Sequence, residues 1–151
     1  ALAASALIRL GRLTGKPDLA ARAEAILKWG APRMRQAPGA CGAFLSAVAL
    51  HLTLPREVAI AGRLGVNDTE ALLAVARRLA PPDTPVAFAD PSSPGTAEAV
   101  RLIPLLEGRK PVNGKAAAYM CENASCRAPV TDPAELASLL GRGARDGRKT
   151  P

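Results

Sequence analysis

Residues 55–62 read Pro55-Arg56-Glu57-Val58-Ala59-Ile60-Ala61-Gly62. The run Glu57–Ala61, short, apolar and bounded by Pro55 and Gly62, has the pattern of a buried strand. Before it, apolar residues recur only at helical spacing. After it, strand patterns alternate with helical ones. The chain therefore changes structural class near Pro55, and this is the internal boundary from which both halves are read.

Upstream, Leu2, Ala6, Leu10 and Leu13 recur at spacings of four, four and three. That predicts a helix over residues 1–13 with those four on its buried face and Arg9 and Arg12 pointing elsewhere. Thr14-Gly15-Lys16 breaks it. Pro17 suits a first helical position and Asp18 complements the helix dipole. Leu19, Ala23, Ile26 and Leu27 form the next stripe, with Gly30 and Pro32 expected to end the helix. Cys41, Phe44, Leu45, Val48 and Leu52 mark a third. The first two helices read as an antiparallel hairpin, which cannot bury both of its faces alone. The chain starts within a helical pattern and without Met, so it is expected to be the C-terminal piece of a larger protein, with upstream sequence supplying the neighbours.

Downstream, Asn67-Asp68-Thr69-Glu70 resembles a capping box with Asn67 as the cap. The helix it opens carries Leu72, Val75, Ala76 and Leu79 and stops at Pro81-Pro82. Residues 85–89 read as a second strand, 90–95 as a loop, 96–103 as a short helix and 116–121 as a third strand. Asp132-Pro133-Ala134-Glu135 opens a last helix with Leu136, Leu139 and Leu140. The order is ααα then βαβαβα, and strands separated by helices imply parallel pairing. The expected fold class is α/β with a helical N-terminal part over 1–54, a small parallel-sheet α/β appendage over 55–140, and a disordered basic tail over 141–151.

Composition narrows the function classes. Hydrophobic residues make up 48% of 151, enough for a packed core, but aromatics only 3%. Trp29, Tyr119, Phe44 and Phe88 are too few for a base-stacking surface or a sugar platform. The net charge of +7 invites a nucleic-acid reading, yet the last eleven residues alone carry +3, and the richness in Arg, Ala, Gly and Pro equally fits a GC-rich bacterial genome. Nucleic acid is not the expected partner. Three cysteines and no signal peptide point to a reducing, cytoplasmic compartment. No apolar stretch reaches the length needed to span a bilayer.

Cys121-Glu122-Asn123-Ala124-Ser125-Cys126 is the most distinctive local feature. Thiols five positions apart just past a strand can meet across a tight loop as a disulfide or as two metal ligands, or simply stay reduced. The spacing departs from the usual C-x-x-C redox geometry. A zinc site needs four ligands, and Cys41 and His51, the remaining candidates, lie far back in the chain, so neither metal nor cofactor is expected. His51 reads as a core or surface histidine. Gly62-Arg63-Leu64-Gly65 lacks the dinucleotide and P-loop patterns, and Asp90 reads as a turn residue before Pro91. No catalytic set can be assembled; Cys121 and Cys126 stand as a possible redox pair.

The segment Pro111-Val112-Asn113-Gly114-Lys115-Ala116-Ala117-Ala118-Tyr119-Met120-Cys121-Glu122-Asn123-Ala124-Ser125-Cys126-Arg127-Ala128-Pro129, followed by the Asp132-Pro133 helix start, resembles the C-terminal signature of the thioredoxin-domain-containing YyaL family, relatives of spermatogenesis-associated proteins. Residues 55–62 and the helical turn at Leu13-Thr14-Gly15 resemble the same family, so that the similarity covers nearly all of 1–140. The family pattern carries an aromatic where this chain has Ala124. The resemblance implies a parent with an N-terminal thioredoxin-like domain, bearing its own cysteine pair, and an α/α toroid similar to six-hairpin glycosidases and N-acylglucosamine 2-epimerases. Residues 1–54 would then be the toroid's last helices, and the rest of the parent chain the partner. Three functions stand: a non-catalytic C-terminal portion of such a protein, whose own activity is redox or carbohydrate-directed; an accessory dithiol at Cys121 and Cys126; or a nucleotide-binding α/β domain.

Overall fold

The computed structural model describes residues 1–123 and 125–146. Among them the chain forms six α helices and four strands. It divides into two compact units, Ala1–Leu54 and a second beginning at Pro55.

The first unit holds α1 (Leu2–Thr14), α2 (Pro17–Gln36) and α3 (Gly42–Leu52). Gly15 ends α1 with a left-handed φ of 63°, a conformation that glycine adopts without a Cβ penalty, and Pro17 and Asp18 open α2 as read. The core consists of Ala4, Ile8, Ala23, Leu27, Ala47 and Leu50, with Leu7, Ile26, Phe44 and Val48 packed against it.

Two expectations change here. Most of the stripe predicted to be buried on α1 is turned outward: Leu2 is 84% exposed, Leu10 49% and Ala6 is exposed as well, with Leu13 alone half-buried. Ala4, Leu7, Ile8 and Gly11 share the same helical spacing and face the core instead. Small residues win that position because they let α2 approach; a Cβ on Gly11 would already touch Leu19 and Ala20 at 3.4 Å. Arg12 joins the inner side, where its guanidinium donates to the carbonyls of Leu50 (2.6 Å) and Thr53 (2.7 Å) at the electronegative end of α3. Gly30 and Pro32 also do not end α2, which runs on to Gln36. Pro32 forgoes one backbone hydrogen bond, but Gly30 is buried against the Phe44 ring, where a Cβ would come within 2.7 Å, so packing holds the helix through both residues.

The second unit is a four-stranded sheet in the order β2-β1-β3-β4, with β1 at Arg56–Ala61, β2 at Val86–Ala89, β3 at Ala117–Glu122 and β4 at Ser125–Cys126. β1 pairs parallel with β2, Ile60 opposite Phe88, through α4 (Asn67–Leu79). β3 runs antiparallel to β1, Val58 opposite Met120, which corrects the expected all-parallel sheet to a mixed one. After β2 the chain passes through α5 (Thr96–Leu102) and a 3-10 turn (Pro104–Leu106). It then reverses at Asn113-Gly114, where both φ values are positive (50° and 74°). That is the tight turn that Asn-Gly favours, and it delivers β3 in the opposite direction.

Val58, Ile60, Ala118 and Met120 point to one side of the sheet. There they form the core with Leu72, Leu73 and Ala76 of α4 and with Leu136 and Leu140 of α6 (Pro133–Asp146). The Asp132 carboxylate accepts the Ala134 amide at the start of α6. The helix continues to Asp146, so residues 141–146 are helical where a tail was expected; once Leu136 and Leu140 are anchored, another turn costs only propagation. The rest of that tail, 147–151, and Ala124 lie outside the described residues. No helix among the described residues is long and apolar enough to cross a membrane.

Candidate functional site

The cysteine segment is a hairpin. Cys121 lies within β3, as the strand read over 116–121 has it, and Cys126 lies directly opposite on β4. The Glu122–Ser125 pairing leaves two residues for the turn, and Asn123 enters it with φ 48°, which asparagine tolerates better than most residues. The two sulfurs are joined as a disulfide, S–S 2.09 Å. Cys121 is 2% exposed, whereas Cys126 is on the surface.

Arg109, which the sequence reading did not single out, completes the site. Its Nη2 donates to Cys126 Sγ at 2.9 Å and lies 3.7 Å from Cys121 Sγ. Its Nε donates to the Leu105 carbonyl (3.1 Å), and the guanidinium stands 4.9 Å above the Tyr119 ring. The Tyr119 hydroxyl in turn donates to the Lys110 carbonyl at 2.7 Å, tying down the segment that carries Arg109. Tyr119 and Cys121 are two apart on one strand and so share a face, the one partial signal for this cluster in the sequence. Nothing in the linear pattern brings residue 109 to them. Glu122, on the alternate face, pairs with Arg56 (2.8 Å) and Arg127 (3.5 Å).

The loop after β1 is already filled by the protein's own carboxylates. The Leu64 amide donates to Asp90 (2.9 Å) and the Gly65 amide to Glu70 (3.1 Å). Asn67 is the first helical residue of α4 and not its cap; the position before it is Val66, and Glu70 reaches back to the loop instead. An incoming phosphate would have to displace two carboxylates from these amides. Asp90 also accepts from the amide and hydroxyl of Ser92 (2.8 and 2.6 Å), a turn role as read. The Ser92 hydroxyl foremost, with the Leu64 and Ser92 amides, holds its carboxyl below the usual range. Asp68 bridges α4 to the start of β3: one oxygen accepts the Thr69 amide (2.7 Å) and the other the Ala116 amide (2.8 Å). The Ala116 amide chiefly lowers its pKa, against burial.

His51 is exposed in the last turn of α3, and Cys41 is a buried free thiol preceding that helix. Among the described residues no group of three or more His, Cys, Asp or Glu side chains is placed to hold a metal ion.

Comparison with known proteins bears on the C-terminal signature. No protein-family model matches the chain, and no solved structure matches it. Three curated relatives do. Spermatogenesis-associated protein 20 of Homo sapiens is 32% identical over 136 residues, and that of Rattus norvegicus is equally similar. The protein of Mus musculus is 31% identical over the same length. Each alignment takes in 89% of this chain and 17% of the relative, so the chain spans about a sixth of the length of the proteins it matches. The chain belongs to the family of spermatogenesis-associated protein 20 and corresponds to its C-terminal portion.

Proposed function

We propose that this chain is a non-catalytic end piece of a longer protein, its first 54 residues completing an α/α toroid and residues 55–140 forming an appendage. The observation that carries the reading is the outward apolar surface of the helical unit. Leu2, Trp29 and Leu52 are each at least 75% exposed, and Leu10, Leu45 and Leu54 are exposed as well. Single exposed apolar side chains are ordinary; six large ones within one 54-residue helical unit mark a surface meant to be covered. The cover is the rest of the parent chain, made up of further toroid helices and a thioredoxin-like domain. The parent is cytoplasmic, with a redox or sugar-directed activity; fold analogy alone supports the sugar-directed one.

The test is self-association of the 151-residue chain by sedimentation, with and without Leu10→Lys and Leu52→Lys. Concentration-dependent association that the substitutions abolish supports the reading. A monomer at all concentrations, with no binding of an apolar dye, contradicts it.

A second reading, an accessory thiol–disulfide role, is favoured by the cross-strand disulfide with a guanidinium on its sulfurs. In a reducing compartment such a bond is transient and therefore redox-active. Thiol titration before and after reduction, with Cys121→Ser as control, tests it; Cys121 and Cys126 both free and of ordinary reactivity under oxidising conditions would sink it. The nucleotide-binding reading finds no support in a loop whose amides are taken by Asp90 and Glu70.

A further inference from the structure

We infer that Arg109 makes the cysteine hairpin a directional thiol–disulfide exchange site, with Cys126 as the attacking thiol, Cys121 as the resolving thiol and a small or peptidic disulfide as substrate. This rests on the accessory-dithiol reading and assigns its roles. Only Cys126 is on the surface where an external disulfide can reach it; Cys121 is buried. The guanidinium lies closer to Cys126 Sγ, 2.9 Å against 3.7 Å. It is held there by the Leu105 carbonyl and the Tyr119 ring, so opening the disulfide leaves a fixed positive charge facing the exposed sulfur. A cation at that distance favours thiolate, the nucleophilic form.

The other charged groups around the pair act less directly. Glu57 lies opposite Cys121 in the β1–β3 register and shares its face. Glu122 and Arg127 alternate to the other face and pair with each other, and Glu122 also holds Arg56. Lys110 adjoins Arg109, its backbone engaged by the Tyr119 hydroxyl.

The exchange balances without a further reactant. The Cys126 thiolate attacks one sulfur of the external disulfide, forming a mixed disulfide and expelling one thiolate, which takes a proton from water. Cys121 then loses its proton to water, and its thiolate attacks Cys126 Sγ. The mixed disulfide breaks and a second thiolate leaves. Two electrons have passed from the hairpin to the substrate, which is reduced to two thiols while Cys121–Cys126 is oxidised. An external dithiol reverses the sequence.

The test uses the whole chain, reduced with dithiothreitol, freed of it and alkylated with iodoacetamide across pH. Mass spectrometry reports labelling at Cys126, Cys121 and Cys41 separately. The wild type is expected to label at Cys126 first, with a midpoint below the value of about 8.5 typical of a free thiol. Arg109→Met should raise the midpoint by about one unit or more and slow labelling at neutral pH by about threefold or more, the slowing being partly offset by the higher intrinsic nucleophilicity of a more basic thiolate. Arg109→Lys should recover part of the shift. Labelling of Cys121 ahead of Cys126, or a wild-type Cys126 midpoint at or above the ordinary value, overturns the assignment even where Arg109→Met fails to fold. So does an unchanged midpoint in a folded Arg109→Met. Equilibration with glutathione buffers keeps the two levels apart: no disulfide between Cys121 and Cys126 at any ratio overturns the dithiol reading itself. A disulfide that forms and exchanges independently of Arg109 overturns only the role given to that residue.

Discussion

Asp68 carries more of the second unit than a first-turn carboxylate usually does. One of its oxygens satisfies the buried amide of Ala116, where β3 is about to begin, and the other an amide of its own helix. Asp68→Ala leaves the Ala116 amide unpaired and is expected to cost about 1.5–3 kcal/mol in urea denaturation. Asp68 and Asp90 both have pKa values lowered by the hydrogen bonds they accept. Their contribution is therefore present above the unfolded aspartate value of about 3.9 and lost as pH falls through the lower folded values. The urea midpoint should fall between pH 5 and pH 2.5, and fall less in Asp68→Ala; an equal fall in both proteins would remove Asp68 from the account. Residue-scale chemistry was only partly legible in the sequence. The cysteine pair stands out by its spacing, but Arg109 reaches it from twelve and seventeen positions away, and nothing local marks such a contact.

At the scale of elements, positions were read better than orientations. The helical segments and three of the four strands fall close to where the apolar patterns put them. β4 has only two residues, too few for a pattern. The direction of β3 departs from the sequence pattern because a helical segment between strands usually implies a parallel crossover, whereas Asn113-Gly114 turns the chain back. The buried face of α1 is not decided by spacing, because two stripes share it and only tertiary contact with small residues chooses between them. Gly62 shows the same dependence on packing. It sits where β1 meets α4 and β3, and a Cβ there would come within 2.4 Å of Thr69 Oγ1 and 2.7 Å of Ala116 Cβ. Gly62→Ala is expected to destabilise the chain by about 1–3 kcal/mol through overpacking, read from the urea midpoint at constant slope. A loss below about 0.5 kcal/mol, the size of a typical surface change, would mean that the junction is looser than described.

At the scale of the whole molecule, a helical unit with a small core and an outward apolar surface is joined in sequence to an α/β unit with a richer core. The family assignment rests on 136 aligned residues, while the matched relatives are about six times longer. The central claim is that the outer faces of α1 and α3 are covered in the full protein. It is tested most directly by placing Leu10→Lys and Leu52→Lys together in the 151-residue chain and in the full-length protein that carries it, and comparing the shifts in melting temperature. Both side chains are exposed in this chain, so at a concentration where it is monomeric the pair should change its melting temperature by little, in keeping with surface substitutions of about 0.5 kcal/mol or less. In the full-length protein the same charges would be buried against apolar neighbours, and a drop of several degrees is predicted. Equally small shifts in both would contradict the claim.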